Sequence, residues 1–241
     1  MELRSVFQHL GPHCVLANIS LRMERGDWLL IIGPNGAGKS LLARLILGLD
    51  SPSAGTIRVL GSALEELDEL GMGRLRGRLG AVLQGGSLLE DLTVLDNLLL
   101  PLRTARLDRR EEARAARLVM TQLQLDGLEN HAPRSLSLGQ RRRVELARAL
   151  IHQPAVVVWD GLTDGLDPVA AGETLDLLRR QQEQRQLTLI ATDNRPDALA
   201  AGTDRIAVLD RGHLIFHGNR TELAQAAAER LEVRYVLEGH P

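Results

Sequence analysis

The chain has 241 residues and a formal net charge of −2, so it can bury a core of its own and has no overall positive field to attract nucleic acid. Its single cysteine, Cys14, excludes an internal disulfide and suits a reducing cytosol. No uncharged run reaches the roughly 18 residues that a membrane span needs, and the amino-terminal MELRSVFQHL lacks a basic segment followed by an apolar one, so the sequence predicts a cytoplasmic protein without a signal peptide.

Short apolar runs separated by turn signals predict a series of β-strands. The first two strands flank a turn at Gly11-Pro12, and the last two form a hairpin across residues 210–212. In chain order, the predicted strands are Leu3–Val6, Val15–Leu21, Trp28–Ile32, Thr56–Leu60, Leu79–Leu83, Ala155–Asp160, Leu187–Ala191, Arg205–Leu209 and His213–Phe216.

Helical patterns fill the intervals between several of these strands. One leucine-rich helix is predicted to end at about Leu47, and another begins with Asp167 as N-cap and Pro168 at the first helical position. A last helix is predicted from about Thr221 to Leu231. The stretch from Thr93 to about His152 is mainly helical and partly dense in charge, which predicts a helical subdomain inserted into an α/β fold.

The segment GPNGAGKS, Gly33 to Ser40, matches the phosphate-loop motif G-x-x-x-x-G-K-[ST] in full and lies between a predicted strand and a predicted helix. Glycines let the loop turn its N–H groups toward an anion, and the helix beginning near Gly38 presents its amino end to the same anion. Lys39 would reach the β- and γ-phosphates, and the Ser40 hydroxyl would bind Mg²⁺. The residues predicted to surround the triphosphate are Gly33, Pro34, Asn35, Gly36, Ala37, Gly38, Lys39, Ser40 and Leu41.

Asp160 closes the apolar run VVVWD, well downstream of the phosphate loop. A carboxylate at the carboxyl end of a buried strand is well placed to hold Mg²⁺ beside such a loop, and the alternative is that a strand-end aspartate caps the next loop. Because the phosphate loop is complete, we predict the Mg²⁺-binding role.

The stretch SLSLGQRRRVELARA, Ser135 to Ala149, contains an S-x-x-Q capping box at Ser137 and Gln140, which alone predicts only a well-capped helix. With the phosphate loop, Gln84 and Asp160 in the same order and spacing, the stretch resembles the LSGGQ signature of ABC-type ATPases, and the resemblance covers nearly the whole chain. The three arginines after Gln140 are predicted to form a solvated helix face rather than to act directly.

The resemblance implies a head-to-tail dimer in which the signature helix of each copy contacts the ATP held by the other. By position, Ser137, Gly139 and Gln140 would contact the partner's ATP, and Asp167 would lie in the loop that crosses the dimer. Gln84 would sense Mg²⁺ and the interface with the transporter. The residues implied as metal-binding are Ser40, Gln84 and Asp160, the last two also being implied as catalytic.

The fold implied is α/β, a P-loop NTPase of ABC type with a mixed-sheet core, an antiparallel β subdomain and the inserted helical subdomain. Residues 1–231 would form the ATP-binding domain and residues 232–241 a C-terminal tail. The implied cofactors are ATP and Mg²⁺, and the implied partners are a transmembrane permease and a second ATP-binding subunit, with no nucleic acid. The protein would then be peripheral on the inner membrane, held there by the permease.

Two features indicate a branch of the family. The segment QGGSLLEDLTVLDNLLLPLR, Gln84 to Arg103, and the carboxyl-terminal RLEVRYVLEG resemble the MCE-associated (Mla-type) phospholipid-transport ATPases. That branch would add MCE-domain and small accessory subunits as partners. The alternative is the ATPase of lipopolysaccharide export, whose signature helix and terminal hairpin are also similar.

Three positions depart from the family pattern. The glutamate that orients or deprotonates the attacking water is replaced by Gly161, the switch histidine by Asp193, and the first glycine of LSGGQ by Leu138. Asp193 is expected to repel the γ-phosphate, and Leu138 to crowd the approach of backbone to phosphate. No adenine-stacking aromatic residue is evident between His9 and His13.

Phosphate-loop binding needs neither the glutamate nor the histidine, so we predict that Mg-ATP binding is retained and hydrolysis is slow. Asp164 is the nearest carboxylate that could replace the missing glutamate. Two hypotheses remain: an energising ATPase of a lipid transporter, or a nucleotide-gated regulatory subunit paired with a competent ATPase. An ABC protein acting on DNA or ribosomes is disfavoured by the lack of a basic face.

Overall fold

The computed structural model describes residues 1–104, 107–195 and 202–238. The strands in this part of the chain are β1 (Glu2–Leu10), β2 (His13–Arg22), β3 (Trp28–Ile32), β4 (Ala54–Val59), β5 (Ser62–Ala63), β6 (Leu79–Val82), β7 (Val156–Trp159), β8 (Thr188–Asp193), β9 (Arg205–Asp210) and β10 (His213–Gly218). The helices are α1 (Lys39–Ile46), α2 (Glu69–Arg76), α3 (Val94–Leu99), α4 (Arg109–Gln122), α5 (Leu138–Leu150), α6 (Pro168–Arg185), α7 (Arg220–Glu229) and α8 (Leu231–Glu238).

A six-stranded sheet forms the centre of the fold, in the order β10-β9-β3-β8-β7-β6. All its neighbouring pairs are parallel except β9 with β10, which form an antiparallel hairpin. Strands β3 and β7 are buried along their whole length, which explains why they read as continuous apolar runs. Because β3, β8, β7 and β6 are parallel neighbours, the loops that follow them emerge at one edge of the sheet.

A second, antiparallel sheet has the order β2-β1-β4-β5 and packs on one side of the central sheet. Alternate residues of β3 separate two apolar cores, as expected for a strand buried on both faces. Leu29 and Ile31 face α1 and the antiparallel sheet, whereas Trp28, Leu30 and Ile32 face α3, α4 and α5. The α/β class, the antiparallel β subdomain and the helical stretch that we predicted are therefore confirmed.

The predicted strands are confirmed with shifts of one to a few residues at their ends, and β3 has the predicted bounds. Three elements were missed: β5, α2 and α8. The last of these was predicted as a plain tail, but its Val233 is fully buried against the core. The final residues of that tail, 239–241, lie outside the described residues, and the division into residues 1–231 and 232–241 stays a prediction. Among the described helices, none combines the length and apolar character that crossing a membrane requires.

Candidate functional site

The phosphate loop connects the end of β3 to α1, as its sequence predicted. Gly36 and Gly38 adopt positive φ angles of 80° and 99°, and Gly38 is the residue before the first turn of α1. The Lys39 Nζ atom folds back over the loop and donates hydrogen bonds to the carbonyl oxygens of Gly33, at 2.7 Å, and Pro34, at 2.9 Å. These two bonds hold the Lys39 ammonium against the backbone of the loop.

The charge on Lys39 is incompletely balanced in this loop. Burial lowers the pKa of its ammonium from the ordinary 10.5, and the carboxylates of Asp160, Asp193 and Asp164 oppose that shift. Its two hydrogen-bond acceptors are neutral carbonyl groups. A triphosphate at this position would set its negative charge beside this partly buried ammonium, so the residues present fit such a ligand.

Oxygen atoms suited to Mg²⁺ lie beside Lys39. The Ser40 hydroxyl is 3.4 Å from the Oε1 atom of Gln84, which follows β6. Asp160 follows β7, is 4% exposed, and accepts a 2.5 Å hydrogen bond from the Thr192 hydroxyl in β8. Hydroxyl, amide and carboxylate oxygens are the ligands that Mg²⁺ takes, usually with phosphate oxygens completing its shell. Ser40, Gln84 and Asp160 thus line the same pocket, and their role as Mg²⁺ ligands stays a prediction. Within the described residues, no group of three His, Cys, Asp or Glu side chains could hold a metal ion.

These residues line one pocket of about 300 Å³. Leu10 and Val15 of the β1–β2 hairpin line this pocket, so the walls contributed by this hairpin are aliphatic rather than aromatic. The lining residues are Leu10, Val15, Asn35, Gly36, Gly38, Lys39, Ser40, Leu41, Arg44, Gln84, Asp160, Gly161, Asp164, Thr192, Asp193 and Asn194.

Asp193 is held more tightly than the sequence suggested. Its Oδ2 atom accepts hydrogen bonds from the Thr163 amide at 2.8 Å and the Thr163 hydroxyl at 2.6 Å, and its Oδ1 atom accepts one from the Arg195 amide at 2.8 Å. The guanidinium of Arg195 in turn donates to the hydroxyl and carbonyl oxygens of Thr163. This carboxylate, only 1% exposed, therefore ties β8 to the loop after β7. The next residue, Asn194, donates its amide to the Oδ1 atom of Asn35 in the phosphate loop at 3.3 Å.

Gly161 occupies the position of the absent glutamate, with a φ of +75°. The Oδ2 atom of Asp164 lies only 2.3 Å from where a Cβ on Gly161 would be, and it accepts a 2.8 Å hydrogen bond from the Gln84 amide nitrogen. The carboxylate of Asp164 therefore lies in the pocket next to Gly161, the position that lacks the glutamate of the family.

The predicted capping box at the start of α5 is confirmed. Ser137 Oγ accepts from the Gln140 amide at 3.2 Å, and Gln140 Oε1 accepts from the Ser137 amide at 2.9 Å. Ser137, Gly139 and Gln140 do not line the pocket around Lys39, so a role toward a partner's ATP stays a prediction. Asp167 caps α6, accepting from the amides of Val169 and Ala170 at 2.9 and 3.0 Å.

The arginines after Gln140 are not all on a solvated face, and this prediction was wrong for Arg142. That side chain is 8% exposed and forms a 3.0 Å ion pair with Glu145, one turn further along α5. It also donates to the backbone carbonyl of Asp164 at 3.3 Å, while Glu145 accepts from the Ser87 amide at 3.2 Å. The pair therefore connects α5 to the loops that follow β6 and β7. Only the i, i+3 spacing of opposite charges could have indicated this contact in advance.

Comparison with known proteins places this pocket in a family. The fold and the pocket are those of a P-loop nucleoside triphosphatase, a class of protein in which one edge of the sheet carries a phosphate loop and oxygen atoms suited to Mg²⁺. The sequence pattern of the ABC transporter family matches residues 16–164. The chain belongs to this family and is an ABC transporter ATP-binding subunit, the kind of subunit that binds ATP with Mg²⁺ and acts with a transmembrane permease.

Similar proteins carry more specific names. A methionine import ATP-binding protein of Nocardia farcinica is 41% identical over 236 residues, which cover 95% of this chain and 70% of that protein. The corresponding protein of Bacillus subtilis is 33% identical over 228 residues, which cover 95% and 67% of the two chains. The predicted Mla-type branch and the alternative of lipopolysaccharide export find no support in these names.

Solved structures agree with the fold. The dimeric post-hydrolysis state of the ATP-binding cassette MJ0796, bound to ADP and phosphate, matches with a TM-score of 0.83 and 27% identity, over 90% of this chain and 97% of that one. The structure of cbiO1 from Clostridium perfringens, part of an ABC transporter complex, matches with a TM-score of 0.84 over 98% of each chain. At 24% identity, the second match shows the fold alone.

Proposed function

We propose that this chain is the ATP-binding subunit of a bacterial ABC transporter in which two copies close on two ATP molecules, and in which closure on ATP contributes more than rapid turnover. The observation that carries the proposal is a phosphate loop complete in every position beside a Gly161 that has no side chain. Binding of the triphosphate depends on the loop, Lys39 and the Mg²⁺ oxygens, all of which are present.

Hydrolysis needs more than binding. A general base is typically worth ~10²–10⁴ in rate, equivalent to ~3–5 kcal/mol of barrier. Gly161 cannot supply one, and the side chain of Asp193 is already engaged by Thr163 and Arg195. Slow hydrolysis follows from these two substitutions, although their effects need not add.

For the transported molecule, the names of the relatives favour import of methionine or another small polar solute. Phospholipid transport is the second candidate, favoured by the resemblance of Gln84–Arg103, the stretch expected to face the permease, to Mla-type ATPases. The two candidates imply different permeases. Purifying the tagged chain from its native membrane and identifying the permease bound to it by mass spectrometry distinguishes them.

Calorimetry with Mg-ATP tests the central proposal. The full chain is expected to bind Mg-ATP, and Lys39→Ala is expected to weaken binding by about tenfold or more, because it removes the partly buried ammonium expected to face the phosphates. Arg220→Ala, a charge removal at the start of α7, serves as the control. Absence of Mg-ATP binding by the unaltered chain would contradict the proposal outright.

The rate of turnover tests the second half. We expect steady-state hydrolysis well below the typical enzymatic value of about 10 s⁻¹, with ATP-dependent dimer formation detectable by light scattering. A second ATP-binding subunit with an intact glutamate, found in the purified complex, would favour the regulatory hypothesis over the energising one. Fast hydrolysis by the isolated chain would exclude the slow-turnover part of the proposal.

A further inference from the structure

In the loop between β7 and α6, the side chain of Asp164 occupies the space next to Gly161. Gly161 has no side chain, and the Oδ2 and Cγ atoms of Asp164 lie 2.3 and 2.9 Å from the place that its Cβ would occupy. A side chain at position 161 and the observed position of Asp164 therefore exclude each other. In the family, the residue at the position of Gly161 carries the carboxylate. In this chain the carboxylate next to that position belongs to Asp164, three residues later.

The Asp164 carboxylate is also joined to the residues expected at the Mg²⁺ ion. Its Oδ2 atom accepts from Gln84 Nε2 at 2.8 Å, and Gln84 Oε1 is in turn 3.4 Å from the Ser40 hydroxyl. Asp164 lines the same pocket as Lys39 and acts electrostatically on that ammonium. The bond to Gln84 engages Oδ2, and no other described residue donates a hydrogen bond to Oδ1, which can therefore accept one from a water molecule.

The backbone holds this carboxylate in place. Arg142, buried on α5, donates to the carbonyl oxygen of Asp164 at 3.3 Å, and the Asp164 amide donates to the carbonyl oxygen of Gly161 at 3.3 Å. Gly161 itself is anchored through its amide to the Thr192 hydroxyl at 2.9 Å, the same hydroxyl that donates to Asp160. These hydrogen bonds join the backbone that carries the carboxylate to α5 and β8.

From this geometry we infer that Asp164 is the catalytic carboxylate of the chain, displaced from position 161 to position 164, and that it supports the slow turnover of the proposed function on which this inference rests. Its free oxygen accepts a proton from the attacking water while the water oxygen bonds to the γ-phosphorus. The bond from that phosphorus to the bridging oxygen breaks, its electron pair leaves with ADP, and the proton passes from Asp164 to solvent.

Substitution of Asp164 tests the inference directly. Asp164→Asn keeps the size and the contact with Gln84 but cannot accept the proton, so kcat for ATP hydrolysis by the full chain should fall by about 10²-fold while the Kd for Mg-ATP changes little. Asp91→Asn, the same chemical change at an exposed position, is the matched control and should leave kcat unaltered.

A second pair of variants tests the exclusion between the two positions. Gly161→Glu alone should not raise kcat, because a φ of +75° disfavours a side chain at this position and the new Cβ would displace the carboxylate of Asp164. The double variant Gly161→Glu, Asp164→Ala removes the closest side-chain atoms and returns a carboxylate to position 161. Its kcat should therefore be higher than that of Asp164→Asn by about tenfold or more.

The outcomes separate the two proposals. If the unaltered chain binds Mg-ATP but hydrolyses none, or hydrolyses it at a rate that Asp164→Asn leaves unchanged, the assignment of Asp164 is wrong and the proposed function stands. If Gly161→Glu alone increases kcat, position 161 is free for a carboxylate and the displacement is wrong. If the unaltered chain does not bind Mg-ATP, both proposals fall together.

Discussion

Leu138, the first residue of α5, packs against Gly165 in the loop before α6: its Cδ2 atom lies 2.9 Å from where a Cβ on Gly165 would be. Gly165 has a φ of +73°, in the left-handed region that is unfavourable for residues with a Cβ atom. The leucine that replaces a signature glycine therefore lies over a glycine of its own chain. The phosphate that Leu138 is expected to crowd would belong to the ATP of a second subunit, so this expectation stays a prediction.

This packing predicts the effect of Gly165→Ala. The left-handed backbone should cost about 1–2 kcal/mol, and the contact with Leu138 adds to it. Gly172→Ala is the control, because Gly172 lies within α6 with nothing within 4 Å of its added Cβ, so that variant should stabilise by about 0.5–1 kcal/mol. Denaturant unfolding measures both. If Leu138→Ala does not reduce the cost of Gly165→Ala, the two residues are not coupled.

The Thr192 hydroxyl predicts a second measurable effect. It donates to Asp160 at 2.5 Å and accepts from the Gly161 amide at 2.9 Å, so Thr192→Val leaves two buried polar groups without this partner. The loss should be about 1–3 kcal/mol in the free energy of unfolding. Thr192→Ser retains the hydroxyl and should lose less. A loss in Thr192→Ser as large as that in Thr192→Val would contradict the dominant role assigned to the hydroxyl.

The sequence was most informative where local rules and burial agree. Strand β7 reads as VVVW because both of its faces are buried, and the start of α6 carries both a capping aspartate and a proline. Helix α2 was missed because Gly71 and Gly73 lower its helical propensity; the Asp68 side chain, which accepts from the Gly71 amide at 2.7 Å, caps it. Helix α8 was missed because its valines and tyrosine favour strands, and the burial of Val233 fixes it instead.

Contacts between loops could not be predicted in the same way. Motif spacing located Asp160 and Lys39, but the partners of Asp193 come from Thr163, thirty residues earlier in the chain. Only the order of β7 and β8 in the sheet brings these loops together. A carboxylate that the sequence alone presents as repulsive is for this reason supplied with donors in the folded chain.

The buried ion pair predicts a large effect of one substitution and a small effect of two. Arg142→Ala removes the ion-pair partner of the buried Glu145 and leaves it only the nearby charge of Arg148 and the Ser87 amide, which should destabilise the fold by about 3 kcal/mol. Replacing both residues, as Arg142→Met with Glu145→Leu, should recover most of that loss. The exposed pair of Arg179 and Glu183 is the control, and Arg179→Ala should change stability little.

Denaturant unfolding of these variants gives the stability, and the Asp164-dependent hydrolysis rate gives a second readout. Because Arg142 also donates to the Asp164 carbonyl, the double variant should stay less active than the unaltered chain even where its stability is recovered. Recovery of both stability and rate would show that the pair serves the fold alone.

Two histidines predict how stability depends on pH. Burial lowers the pKa of His152 below the ordinary 6.5, and a hydrogen bond to the Leu79 carbonyl opposes this shift only in part. For His217, burial acts first and the nearby charge of Arg205 adds to it, against an opposing effect of Glu222. Both side chains are therefore neutral in the folded chain at a pH where they gain protons on unfolding, so the unfolded state binds more protons as the pH falls through 6.5.

The free energy of unfolding should consequently be highest above the unfolded pKa of 6.5 and fall as the pH is lowered from roughly 7.5 to 5.5, above the range in which most carboxylates titrate. His152→Gln and His217→Gln should each flatten this slope, because glutamine does not titrate. Denaturant unfolding at closely spaced pH values measures the slope. A slope that survives in the double variant His152→Gln, His217→Gln would assign the pH dependence to other groups.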